Sequence, residues 1–151
     1  SLNYNVYLQR LYRDHPNIPI IIEHLDESDV PRAKKFIDKK KEETVIEAMT
    51  DGRWFVLQYQ TPTADVTYEF AGYEFQFYSN GTVQGFLNTS VTDGTWTGDM
   101  NALSITASFP SATMPVSRLN GVWKVTENSW YDVTAYKHSG VDTNWLKLRK
   151  K

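Results

Sequence analysis

Cysteine is absent from this chain of 151 residues, and so is any excess of basic charge. Without cysteine there are no disulfides, thiolate metal sites or cysteine nucleophiles. The 16 Lys and Arg residues against 18 Asp and Glu give a net charge of −2. A duplex-binding domain carries a strong basic excess, so we expect no nucleic-acid partner. No apolar run approaches the ~20 residues of a membrane helix, so we expect no transmembrane span.

Glycine and tryptophan are also missing from the first third of the chain. Every Gly lies at or after position 52 and every Trp at or after position 54, whereas charged residues are concentrated before them. This shift in composition divides the chain in two. We predict a helical or irregular lead-in over residues 1–51, packed on a β domain over residues 52–151.

The lead-in contains a short extended segment and a helix. Ile18-Pro19-Ile20-Ile21-Ile22 is β-branched, and its proline restricts it to an edge strand or extended packing segment. Ser28 or Asp29 can cap a helix that has Pro31 in its first turn and ends before Gly52. Apolar residues recur at helical spacing, at Ala33, Phe36, Ile37, Val45, Ala48 and Met49. A basic run between them leaves open one helix with a solvated middle or two short helices.

The remainder reads as eight strands separated by turns. They are predicted at residues 53–60, 68–78, 82–88, 91–97, 102–109, 121–126, 129–137 and 143–149. Asn80-Gly81 predicts a type I′ hairpin turn between the second and third strands. Eight sequential strands joined mostly by tight turns predict an antiparallel meander, and closure of that meander removes its two exposed edges. The expected fold is therefore mainly β, an eight-stranded antiparallel up-and-down barrel with an N-terminal helical lead-in.

A glycine-x-tryptophan triplet recurs three times, as Gly52-Arg53-Trp54, Gly94-Thr95-Trp96 and Gly121-Val122-Trp123. Over about residues 50–150 the chain resembles the lipocalin-like (calycin) domains of Bacteroidetes lipoproteins. The resemblance implies that Trp54 closes the barrel floor and that Arg149 or Lys150 stacks on it. It also implies an extracytoplasmic lipoprotein, periplasmic or on the cell surface, tethered through a lipid-modified Cys upstream of Ser1. The Thr-Asp-x-x-Tyr motif that lipocalins often carry is not present.

Alternation along the strands assigns an inward face. If Trp54 points inward, Val56 and Gln58 also point inward. A polar side chain inside the barrel needs a hydrogen-bond partner or a ligand, so Gln58 needs one. The same parity places Leu103, Ile105 and Phe109 on another wall. The ligand-binding candidates are the inward residues Trp54, Gln58, Tyr73, Phe75, Trp96 and Phe109. The residues expected to close the barrel are Trp54, Trp123 and Arg149.

The residues for catalysis or metal binding are sparse. The three histidines are His15, His24 and His138, and the acidic residues around His24 do not have a zinc or calcium-loop spacing. Glu127 and Asp132 are possible paired carboxylates for glycoside chemistry, but any β protein offers such pairs. We therefore predict no catalytic residues, no metal, no cofactor and no enzymatic activity.

Two function classes stay open. The first is a non-enzymatic carrier of a small hydrophobic or amphipathic ligand in or at the mouth of the barrel. The second is a surface module that contacts protein or glycan, with side chains filling the barrel. The outward aromatic candidates for the second are Phe55, Trp130, Tyr131, Tyr136 and Trp145. In either case we expect a monomer.

Overall fold

The computed structural model describes Ser28 and residues 30–151, and over this range it shows one helix followed by a closed barrel. The strand-like segment at residues 18–22, the cap candidate Asp29, and both His15 and His24 lie outside the described residues.

The helix, α1, spans Val30–Thr50 without interruption, so the one-helix alternative is the observed one. Pro31 occupies its first turn, as predicted. Ala48 and Met49 are buried against the barrel, and Val45 packs beside them. Phe36, which was predicted on the same apolar stripe, is 46% exposed. The helix is thus anchored on the barrel through its C-terminal turns.

Eight antiparallel strands close into a barrel in strict sequence order, with the last strand pairing with the first. The predicted fold class is confirmed. The strands are β1 (Arg53–Gln60), β2 (Glu74–Phe77), β3 (Thr82–Leu87), β4 (Ser90–Asp99), β5 (Ser104–Ser108), β6 (Gly121–Asn128), β7 (Asp132–Ser139) and β8 (Asp142–Lys150). Two short 3-10 helices, Thr67–Phe70 and Val116–Leu119, lie in the connections after β1 and β5.

The second predicted strand, residues 68–78, is wrong over its first half. There the chain forms a 3-10 helix, and the Ala71 N–H donates to the Tyr68 carbonyl while the Tyr73 N–H donates to Phe70. These local hydrogen bonds replace a ladder with β1, which pairs with β2 only at Arg53 and Trp54. Aromatic alternation alone does not reveal this competing turn.

The hairpin at Asn80-Gly81 is confirmed, but its type I′ geometry is wrong. Only Gly81 has a positive φ, of 83°, and its N–H donates to the Tyr78 carbonyl. The Tyr78 N–H donates to the Thr82 carbonyl, and the three-residue loop between these two residues ends on a left-handed glycine, the next most common hairpin connection. The Asn80 side chain instead accepts the Thr82 N–H at 3.0 Å. Asparagine therefore acts here as a hydrogen-bond acceptor.

The fifth strand is shorter than predicted, and the first residue predicted to point inward from it, Leu103, lies outside the strand. Leu103 has a φ of 46° and is 56% exposed, because the strand begins only at Ser104. The placement of Leu103 on the inner wall is wrong. Phe109, just beyond the strand, is buried as predicted.

The three motif tryptophans are all buried, and each indole N–H donates to a carbonyl of another segment. Trp54 donates to Met49 at 2.9 Å and thereby fixes the end of α1. Trp96 donates to the Tyr78 carbonyl at 2.9 Å, and Trp123 to that of Leu119 at 2.8 Å. One barrel end is covered by α1, and the other by the connections that carry Phe70, Val116 and Leu119, all buried.

Gly94, the first residue of the second motif triplet, is needed for a close approach. A Cβ there would lie 2.6 Å from both the Phe109 ring and the Ser108 carbonyl oxygen. We expect Gly94→Ala to lower the free energy of unfolding by ~1–3 kcal/mol, the usual cost of overpacking. Urea unfolding measures this cost.

Gly98→Ala is the matched control, because its Cβ would meet only the Trp96 ring edge at 3.7 Å. Equal stability of the two variants would contradict the packing assigned to Gly94.

Candidate functional site

The inner face of β1 differs from the predicted parity because the β1–β8 register shifts between Val56 and Gln58. One extra residue reverses the alternation. Gln58 is therefore exposed, and its predicted inward orientation is wrong. Tyr59 is buried in its place, and its hydroxyl donates to the Arg118 carbonyl at 3.1 Å. Burial is the main cause that raises the pKa of Tyr59 to about 12.

The other predicted interior residues lie together, with one at the margin. Buried residues among them are Trp54, Phe75, Trp96, Phe109 and Trp123. Tyr73 is half-buried and precedes β2, where its ring stacks on Phe75 with centroids 6.1 Å apart. The sequence thus predicted most of the interior set correctly.

The cation predicted to stack on Trp54 is Lys150 rather than Arg149. The Lys150 Nζ lies 5.3 Å from the Trp54 ring centroid and 4.5 Å from that of Trp130, and it reaches the Asp51 carboxylate at 3.3 Å. Burial lowers the pKa of Lys150. Arg149 instead points outward, as strand alternation requires, and pairs with Asp132 at 2.8 Å.

A second lysine, not singled out from the sequence, occupies the equivalent position at the other barrel end. The Lys137 Nζ lies 4.7 Å from the Trp123 ring centroid. It donates to the carbonyls of Arg118 and Asn120 at 2.5 and 2.6 Å. Burial lowers the pKa of Lys137 as well. A lysine within a run of alternating strand residues carries no sequence signal for such a role.

The barrel interior is largely filled by side chains. A cavity of about 40 Å³ remains among apolar side chains that include Phe75, Phe109 and Trp123. A second cavity, of about 50 Å³, lies between α1 and the adjacent barrel end, against Met49 and Trp54. Benzene occupies an engineered cavity of ~150 Å³, and small-molecule sites span about 300–1,000 Å³. Neither internal space accommodates an organic ligand without rearrangement.

The outer face of β7 and β8 carries a pair of aromatic side chains. Tyr136 and Trp145 are direct cross-strand partners, with ring centroids 5.3 Å apart at an angle of 45°. Trp145 is 45% exposed, and Tyr136 is half-buried beside it. We call these two residues the aromatic pair.

The remaining outward candidates are dispersed. Tyr131 is 64% exposed in the turn before β7, whereas Phe55 and Trp130 are half-buried. The half-burial of Trp130 is consistent with its contact with Lys150. The aromatic pair is therefore the outward aromatic cluster that the structure brings together from the predicted set.

In the described part of the chain, no group of three or more His, Asp or Glu side chains is placed to hold a metal ion. Asp132 is paired with Arg149, and the exposed His138 Nδ1 lies 3.0 Å from the Thr143 hydroxyl. No helix of the described residues is long and apolar enough to cross a membrane.

No protein-family model matches the chain, and no curated protein matches it in sequence. Among solved structures, the barrel is similar to the crystal structure of a DUF4847 family protein from Bacteroides vulgatus ATCC 8482. The two share 12% sequence identity with a TM-score of 0.52, and the match covers 71% of this chain and 97% of the other. At this identity the similarity shows the fold alone. The fold is also compatible with the lipocalin-like resemblance.

The raised pKa of Tyr59 predicts a loss of stability in alkaline solution. The folded protein holds the phenolic proton more tightly than the unfolded chain, whose tyrosine titrates near pH 10. Stability from this group is complete below pH 10 and is lost as the pH rises through the folded value of about 12. Denaturant unfolding at several pH values from 8 to 12 measures the slope.

Tyr59→Phe is the comparison variant, and its stability should fall less steeply above pH 10. The lowered pKa of Lys137 has the opposite effect on the pH dependence of stability, but Lys137 is present in both proteins. Its effect therefore largely cancels when the two stability curves are compared. Parallel curves for the two proteins would refute the assignment of Tyr59 to a buried, protonated position.

Proposed function

We propose that this protein is a non-enzymatic binding module in which the filled barrel is a scaffold and the ligand, a glycan, binds outside at the aromatic pair. The observation that carries this proposal is the exposure of Trp145 next to Tyr136, on a barrel whose internal cavities measure only about 40 and 50 Å³. A carrier of internal ligands needs a large internal cavity and does not need an exposed aromatic cluster. The proposal therefore follows the surface-module alternative.

The geometry of the aromatic pair suits a stacking ligand. The two rings lie on the same face of neighbouring strands, and their 45° tilt presents two differently inclined surfaces. Exposed Trp and Tyr side chains contribute much of the binding energy in interfaces, because they offer large rigid contact areas at small entropic cost.

The neighbours of the aromatic pair favour a sugar over an apolar protein surface. On the outer face, Gln60 lies beside Trp145 across β1, and the next cross-strand pair toward the barrel end is Thr134 with Lys147. These side chains can donate and accept hydrogen bonds, whereas a protein interface core is typically apolar at its centre. A sugar ring offers C–H groups on its face for stacking and hydroxyls at its edge for these polar neighbours.

We also propose that the protein acts outside the cytoplasm, as a periplasmic or cell-surface lipoprotein. Support comes from the lipocalin-like resemblance and from the fold shared with a Bacteroides protein. Fractionation of cells that express the full-length gene product with a C-terminal epitope tag tests this location. We expect to recover the protein in the envelope fraction and to find it labelled by radioactive palmitate. Recovery in the cytoplasmic fraction alone would refute the proposed location.

The aromatic pair predicts a specific loss of glycan binding. On an array of bacterial and plant polysaccharides, or by affinity electrophoresis in polysaccharide gels, we expect the wild-type protein to bind and Trp145→Ala to bind at least tenfold more weakly. A tenfold loss corresponds to about 1.4 kcal/mol. Thermal unfolding should change little, since a cross-strand pair contributes only ~0.2–1 kcal/mol.

Tyr131→Ala is the matched control, because Tyr131 is also exposed but lies away from the aromatic pair. It should bind as the wild type does. The glycan proposal fails if no polysaccharide is retained, or if Trp145→Ala and Tyr131→Ala bind equally. Capture of a purified protein partner that depends on Trp145, without glycan binding, would assign the surface to protein recognition instead.

A further inference from the structure

The barrel wall has a lateral gap between β1 and β2. These strands pair at only two positions, Arg53 with Gln76 and Trp54 with Phe75, whereas β1 pairs with β8 along most of its length. Beyond Trp54, β1 has no strand partner on the β2 side until Tyr59, whose carbonyl accepts the Val66 N–H and whose own N–H donates to the Thr67 hydroxyl. The 3-10 helix Thr67–Phe70 and the turn after it border the gap.

This gap forms an open groove of about 480 Å³, hereafter the lateral groove. Its floor consists of the core side chains Val56 and Phe70, which are 7% and 3% exposed. Aromatic side chains border it at Phe55, Tyr68 and Tyr73. The volume falls within the range of small-molecule sites, unlike either internal cavity.

The rings around the lateral groove favour a planar ligand. Tyr68 is 75% exposed, which is unusual for a ring of this size beside an apolar floor. Tyr73 is held in place by stacking on Phe75 and by an edge contact with Phe70, whose centroid lies 6.4 Å away. Flat molecules gain most from such rings, because offset-stacked and edge-to-face contacts add to the area they bury.

The charges at one end of the lateral groove are already paired. Lys151 donates to the Glu74 carboxylate, and the Arg53 guanidinium donates to it at 2.9 Å. These hydrogen bonds lower the pKa of Glu74, which therefore stays ionised. Of these three groups, Glu74 and Lys151 line the groove, and their opposite charges cancel, so neither sign of charge is favoured there. The ion pair and the tyrosine hydroxyls can still hydrogen-bond a neutral polar group.

From this geometry we propose that the lateral groove is a binding site for a small, planar, uncharged aromatic molecule that carries one polar substituent. The ligand lies over Val56 and Phe70, with its ring against Tyr68 and Tyr73 and its polar group toward Glu74 and Lys151. The site is separate from the aromatic pair and uses none of its residues.

Two fluorescent probes that differ mainly in charge test the proposal. N-phenyl-1-naphthylamine is neutral, and 1-anilinonaphthalene-8-sulfonate adds a sulfonate to the same ring system. Titration of the folded protein should show saturable binding of the neutral probe and at least fivefold weaker binding of the anionic one. Absence of neutral-probe binding, or tighter binding of the sulfonate, would overturn the proposal.

Two variants locate the bound probe. Tyr68→Ala removes an exposed ring without opening the core, and it should weaken neutral-probe binding at least fivefold. Ala71→Trp adds an indole at an exposed residue that lines the groove, in the turn before β2, and it should block binding. Circular dichroism melting verifies that both variants remain folded.

The controls are Tyr131→Ala and Trp145→Ala, which should bind the neutral probe as the wild type does. If Trp145→Ala alone abolishes probe binding, the probe occupies the aromatic pair and the lateral groove is not the site. If all four variants bind equally, the proposal is also refuted. The outcome of the glycan assay does not depend on these probe titrations, so either proposal can fail while the other stands.

Discussion

The structure depends on the closure of both ends of the barrel around buried tryptophans. Trp54 holds the end of α1 through its indole N–H, and Trp123 holds the connection before β6 in the same way. A lysine lies against each ring, Lys150 at one end and Lys137 at the other. Because a buried lysine is costly unless it has partners, the hydrogen bonds of Lys137 and the contacts of Lys150 are part of the closure.

This closure limits the space inside the barrel. The two tryptophans and the buried residues of the connections occupy the space that a ligand would need, and the two cavities beside them measure about 40 and 50 Å³. Both binding sites that we propose therefore lie on the outer surface, where the aromatic pair and the lateral groove offer different chemistry. The first is an exposed patch with polar neighbours, and the second is a groove with an apolar floor. Neither depends on opening the barrel.

The sequence predicted the architecture because its signals are local and repeated. The three glycine-x-tryptophan triplets and the alternation in the fifth strand indicate strands independently of tertiary contacts. Gln58 was placed inward because a register shift inside β1 leaves no trace in its alternation. The first half of the second strand was lost to backbone hydrogen bonds at Phe70 and Tyr68, which aromatic alternation conceals. The lateral groove follows directly from that local competition, so it could not have been predicted.

The most direct test of a filled, closed barrel is the exchange of the tryptophan indole N–H protons in deuterated buffer, followed by nuclear magnetic resonance. The indole protons of Trp54, Trp96 and Trp123 are buried and hydrogen-bonded to carbonyls, so we expect exchange at least a thousandfold slower than for the exposed Trp145. Exchange of all of these protons at similar rates would show that water reaches the interior readily, and the account of a solid scaffold would be wrong.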